Sequence, residues 1–313
     1  MKTYIKITIA LAVTLGLSKA QAQQVPMYTH YMYNTLVVNP AYAGSRDALT
    51  ITALHRSQWV GVSDAPTTQT LTMHTPLRNQ HIGLGLAVMK DKIGPISNIG
   101  VVGDFAYRMQ LTKKAKLAMG MSLGANFFQA NLNTLTTDQQ NDPAFQNNIN
   151  NDIRPVVGFG LYYSRERFYA GVSVPNLMQN SFSTDQDANG TTLAGKDQQH
   201  YFLIAGTVLK ITDNLEFKPT TLIKITEAAP IQADLTASFI IVKKLLVGAM
   251  FRSGDAVGGL IGLDITEQLH VGYSYDWSYG FSTSNYNQGS HEIMLRYDFI
   301  FFDKKQIHNP RYF

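Results

Sequence analysis

Three features predict an all-β chain that closes into a single transmembrane antiparallel barrel of about fourteen strands, with short periplasmic turns and longer external loops. Long segments alternate apolar with polar or small residues. No apolar run beyond the N-terminal leader approaches the length of a helical span. Charged residues make up only 15% of the chain, against 11% aromatics and 24 Gly. Soluble domains carry about 25% charged residues. Backbone polar groups in a bilayer must be satisfied internally, so a chain without helical spans crosses only as a closed barrel.

The alternation is clearest at 269–280. One face reads Leu269, Val271, Tyr273, Tyr275, Trp277 and Tyr279; the other reads His270, Gly272, Ser274, Asp276, Ser278 and Gly280. Segments 99–108, 117–127 and 231–241 repeat the pattern. Period two over ten residues suits a strand and not a helix. Strands are predicted at 47–59, 67–78, 81–91, 96–111, 115–130, 153–164, 167–175, 199–211, 214–226, 230–241, 244–254, 257–266, 268–280 and 288–301. Fourteen is even, as in single-chain bacterial barrels. Short polar turns at 78–80, 113–114, 165–166, 213–214, 243–244 and 267–268 alternate with the other connections, two of them long (131–152 and 176–198). Turns are periplasmic and loops external in such barrels, which puts both termini in the periplasm.

The N-terminus explains how the chain reaches a membrane. Lys2 and Lys6 precede an apolar stretch from Ile7 to Leu17, which ends near Ala20-Gln21-Ala22. A basic start, a short apolar core and small residues at Ala20 and Ala22 form a cleavable signal peptide, with Gln23 first in the mature chain. The expected organisation is therefore a signal at 1–22, a periplasmic segment at 23–46, a barrel at 47–301 and a periplasmic tail at 302–313. There is no Cys, which excludes a lipid-anchored cysteine and thiol chemistry. The signal holds three of the 26 Lys and Arg and no acid, leaving 23 basic against 22 acidic residues. That balance offers no footprint for nucleic acid.

Nothing in the sequence points to catalysis, a metal or a cofactor. There is no Gly-x-Ser-x-Gly elbow, and the eight His residues lack zinc-site spacing. His270 and His291 read as lumen-facing polar residues. Asp104, Arg108, Glu216, Lys218, Lys224, Asp234, Glu292, Arg296 and Asp298 fall in frame to point inward. They form either a polar pathway or a cross-braced lumen. Tyr273, Tyr275, Trp277 and Tyr279 read as an interfacial girdle.

Between the signal and the first strand lies an aromatic segment containing Tyr28, Tyr31 and Tyr33, which runs into Val38-Asn39-Pro40-Ala41-Tyr42-Ala43-Gly44. Asn39-Pro40 stops regular structure and Gly44 allows a tight turn. With His55-Arg56-Ser57-Gln58-Trp59, Ala65-Pro66-Thr67-Thr68-Gln69 and the terminal Asn309-Pro310-Arg311-Tyr312-Phe313, this block resembles the PorP/SprF family. The resemblance implies an outer-membrane component of the type IX secretion and gliding machinery, acting in export or surface attachment of secreted proteins or adhesins. The implied partners are other secretion components in the periplasm and outer membrane, a secreted adhesin or cargo protein, and membrane lipid. It implies no catalytic residue.

Segment 23–44 is apolar yet lies outside the expected lipid band. It must bury Tyr28, Tyr31, Tyr33 and Tyr42 either against a partner or inside the barrel as a plug, with Asn39, Pro40 and Gly44 shaping its path. Interfaces favour Tyr and Met anchors. A diffusion porin or a transporter of apolar molecules is the competing function for such a barrel.

Overall fold

Side chains on a strand point alternately to its two faces, and here the two faces meet different surroundings. In β1 (Leu49–Ser57) Thr50, Thr52, Leu54 and Arg56 are buried, while the residues between them are half-buried or exposed. The computed structural model describes residues 25–135, 148–183, 194–227, 229–279 and 285–300. Among them it holds seventeen strands, continuing with β2 (Thr67–Pro76), β3 (Ile82–Ile93), β4 (Ile96–Thr112), β5 (Ala115–Ala130), β6 (Ile149–Arg165) and β7 (Phe168–Val174). A small hairpin, β8 (Ser181–Ser183) with β9 (Ala194–Lys196), stands apart from the main sheet. Then come β10 (His200–Thr207), β11 (Leu209–Lys210), β12 (Leu215–Thr226), β13 (Gln232–Ile241), β14 (Leu245–Arg252), β15 (Ala256–Asp264), β16 (Leu269–Ser278) and β17 (Ser290–Phe299).

All main-sheet pairings are antiparallel, and each strand pairs with the next. The ring closes because β17 pairs with β1. β11 continues β10 in the same register against β12. The gap between them falls opposite Pro219, which has no N–H for the ladder. Counting β10 and β11 as one and setting the hairpin aside, the barrel is closed by fourteen strands. No helix among the described residues is long and apolar enough to span a membrane.

The outer face carries large apolar side chains with no protein cover, such as Leu123 (66% exposed), Ile153 (62%) and Trp277 (56%). Water does not tolerate so continuous an apolar surface, and a bilayer requires it. Tyr273, Tyr275 and Tyr279 join Trp277 on that face. All nine charged residues predicted to face inward are buried.

Two expectations need correction. His291 points outward, with Nδ1 2.7 Å from the Tyr273 hydroxyl, because the inward positions of β17 are Ser290, Glu292, Met294, Arg296 and Asp298. β6 also begins at Ile149 and not at 153. The Asn-rich start reads as loop, yet its backbone still pairs, Ile149 with Ala130 and Asp152 with Phe128. A ladder beyond the lipid band needs no apolar side chains.

Short connections lie along one rim, at 113–114 and 166–167 for example, and the longer ones along the other, at 58–66 and 279–289 among others.

Candidate functional site in the barrel lumen

Residues 27–46 do not stand clear of the barrel as a separate segment. Their side chains pack on its inner wall and fill the lumen. Tyr28, Tyr31, Met32, Leu36, Ala41, Tyr42 and Ala43 form one apolar cluster with wall residues that include Tyr162, Tyr169, Ile204, Leu222 and Met294. Burial of so many aromatic side chains is the main attraction holding the segment in place. The signal-cleavage residues Ala20 and Ala22, and the tail beyond Ile300, lie outside the described residues.

Tracing back from β1, the segment starts at the short-turn rim. The Arg46 guanidinium pairs with Asp298 (Nη2 to Oδ2, 2.9 Å), which also accepts from Thr50 Oγ1 at 2.6 Å. Asp47 receives Arg108 at 2.7 Å and Lys116 at 3.3 Å. Gly44 has φ +73°, the left-handed turn that its sequence position suggested, and its amide donates to His74. Tyr42 meets Tyr162 edge-on at 5.4 Å and His74 at 5.1 Å.

Pro40–Tyr42 is a single 3-10 turn capped by Asn39, whose Oδ1 accepts from the Ala41 amide at 2.9 Å. The Asn39 Nδ2 donates to the Leu161 carbonyl at 3.0 Å. This close approach to the wall needs missing side chains there. A Cβ on Gly120 would fall on the Ala41 backbone, and one on Gly160 would fall on the Asn39 amide. The block that looked like a turn signal is therefore a shape cut to fit two glycines of β5 and β6.

Further in, Asn34 donates to Thr70 at 2.8 Å and accepts from Thr72 at 3.0 Å. The Tyr33 ring lies 4.7 Å from the His270 ring, with Lys218 Nζ at 4.5 Å and the Arg296 guanidinium at 5.0 Å over its faces. The Tyr31 hydroxyl meets Thr220 at 2.9 Å, and the Tyr28 hydroxyl donates to the Met89 sulfur at 3.1 Å.

The upper end is held by charge. Glu292 accepts from the amides of Thr29 (3.0 Å) and His30 (2.7 Å), sits 2.7 Å from His30 Nδ1 and 3.2 Å from Arg56 Nη1. Arg56 also pairs with Asp276 at 2.6 Å, which accepts from the Thr29 hydroxyl. A carboxylate this deeply buried is tolerable because four donors converge on it. Thr50 and Arg56 are six residues apart on β1, about 20 Å of strand. The segment thus crosses most of the barrel, and Val25 and Pro26, which precede it, are half-buried. The expectation that 23–46 remains on the short-turn side is corrected by this path.

Sequence reading singled out Tyr28, Tyr31, Tyr33, Asn39, Pro40, Tyr42 and Gly44, and the lumen brings all seven together. It missed Thr29, His30, Asn34 and Arg46. It also missed the role of Gly120 and Gly160, though Gly at inward-facing positions is a signal of close backbone approach. Among the described residues no group of three or more His, Cys, Asp or Glu could hold a metal.

A closed antiparallel barrel with an apolar outer belt, a polar inner wall and its own chain in the lumen is an integral outer-membrane protein. The family model described as type IX secretion system membrane protein PorP/SprF matches residues 20–297, and the chain belongs to that family. None of the curated proteins compared matches it. Among solved structures, it is similar to a Pseudomonas aeruginosa FadL homologue (12% identity, 91% of this chain and 98% of that one, TM-score 0.47). It is also similar to the Acinetobacter baumannii outer membrane protein Omp33 (12% identity, 80% and 98%, TM-score 0.43). These likenesses extend to the fold and no further.

Proposed function

We propose that this barrel works in type IX export or surface attachment of secreted proteins or adhesins through protein–protein contacts, without catalysis, and that residues 25–46 are its plug. In this reading 1–22 is a cleaved signal, 47–301 is the barrel and 302–313 is a periplasmic tail. Short turns face the periplasm, where other secretion components meet the barrel, and long connections face outward to cargo or adhesin. The supporting observation is that the block carrying the family resemblance is the same stretch whose side chains occupy the lumen. A lumen filled by buried Tyr28, Tyr31, Tyr42 and Leu36 leaves little room for a solute, which weighs against the diffusion porin or apolar-molecule transporter.

Deleting the gene and measuring secretion beside solute uptake tests this reading. Loss of secreted or surface-displayed protein with uptake unchanged is the expected result, together with co-purification of secretion components with the detergent-extracted barrel. Intact secretion with impaired uptake would favour the transporter.

A further inference from the structure

The upper wall between β10, β12 and β13 contains polar groups that the fold leaves unused. Lys224, His200 and Thr226 are 5%, 6% and 7% exposed. Lys224 Nζ, His200 Nε2, Thr226 Oγ1 and Gln232 Oε1 are all buried atoms without a hydrogen-bond partner among the described residues. Register places them side by side. His200 faces Thr226 across the β10–β12 pair, and Lys224 faces both Phe202 and Gln232. Three adjacent strands span about 10 Å, and inward neighbours on one strand are about 7 Å apart, so the four polar side chains line one patch.

The carboxylate that could answer Lys224 is already committed. Asp234, on the same wall, takes Arg252 through Nε at 2.9 Å and Nη2 at 2.8 Å. Asp255 lies 3.4 Å from Arg252 Nη1. Neither carboxylate is bonded to Lys224, and burying an ammonium or any polar atom without a hydrogen-bond partner is costly. Four such atoms on one patch call for a partner that completes them.

Beyond the proposed secretion role, we infer that this patch binds a small carboxylate that also carries a hydroxyl or amino donor. The donor and acceptor pattern sets that chemistry. Lys224 offers only protons, which a carboxylate accepts. His200 Nδ1 lies 2.9 Å from the Gln198 carbonyl. That contact puts the imidazole proton on Nδ1, so Nε2 accepts. Gln232 Oε1 accepts as well, and Thr226 does either. A simple inorganic anion would satisfy Lys224 and leave both acceptors bare. The rings of His200 and Phe202, stacked 19° from parallel with centroids 6.4 Å apart, give the patch an apolar side for the ligand's carbon skeleton. His200 opens β10 and Thr226 closes β12, so entry is from the long-connection rim.

The test is calorimetric titration of the full barrel in detergent with sodium lactate, gluconate and glutamate, with sorbitol and sodium chloride as controls. At least one carboxylate should bind saturably, one per barrel, while both controls do not. Lys224→Met should weaken that binding at least tenfold in a barrel that still migrates as folded on an unboiled gel. If this variant does not fold, the Thr226→Val, Gln232→Leu double variant should weaken binding at least tenfold. Absence of binding by all three carboxylates means that water alone occupies the patch and overturns the inference. Binding unchanged in the folded variants overturns it equally.

Discussion

The His30 imidazole lies 2.7 Å from the Glu292 carboxylate, and 262 residues of chain separate the two. Both are fully enclosed, one in the lumenal segment and the other on the last strand. Removing the charge at Glu292 leaves His30, Thr29 and Arg56 facing a weaker acceptor. Breaking a buried ion pair from one side costs about 3–5 kcal/mol. Closed barrels resist unfolding in detergent, so unboiled and boiled samples of the protein should migrate differently on a denaturing gel. Glu292→Gln should lower the temperature at which the folded band disappears. An unchanged temperature would show that the pair contributes nothing to the seat.

Tyr28, Tyr31 and Tyr33 are three aromatic anchors of the lumenal segment. Changing an aromatic to Ala in a packed interior costs roughly 3–5 kcal/mol. With all three changed to Ala the barrel should still fold, since the wall closes through its own ladder, but the segment should lose its hold. Leakage of small solutes into cells carrying the triple variant is the expected readout. A tight barrel with failed secretion would mean that the segment acts by docking a partner.

Gly120 tests the same seat from the wall side. A Leu there drives its side chain into the Ala41 backbone, while a strand accepts Leu readily. Gly120→Leu should fold, run as a barrel and become leaky, and its lumenal segment should become cleavable by added protease. A variant as tight and protease-resistant as the parent would mean that the segment can yield locally at Ala41.

Sidedness can be read with epitope tags. Tags at about position 147 or 187 should be reachable on intact cells. Tags at 113–114 or 213–214 should be reachable only after permeabilisation. A tag placed directly before Val25 should behave like the first group, because the segment crosses the barrel. Labelling of that tag only after permeabilisation would place the N-terminal end on the short-turn side.

Much of the wall was legible in the sequence, because a two-sided strand writes its surroundings into every second residue. Leu269 to Ser278 is one example, and the nine charged residues read as inward-facing, all of them buried, are another. What escaped was pairing across distance. Asp298 has Arg296 two places before it, yet Arg46 makes its close contact. Nothing local to either residue encodes that choice. His291 was misplaced because a polar residue among polar neighbours gives no phase by itself. The lumenal course of Tyr28–Tyr42 was open between two readings for a related reason: an apolar stretch announces that it is covered, not by what.

The path of that segment bears on how the protein is made. Thr29 and His30 are bonded to residues of β16 and β17, and β17 also completes the ring against β1. A stretch synthesised before every strand of the barrel therefore finds its last partners in the final strands to arrive. A ring already sealed would offer only its mouths for threading some twenty residues past inward side chains. Assembly around the segment, as a cooper raises staves about a form, avoids that obstacle and makes closure and filling a single event. Contacts so distant in sequence are slow to form. A chain missing β17 would lack both the closing stave and the carboxylate that holds the form in place.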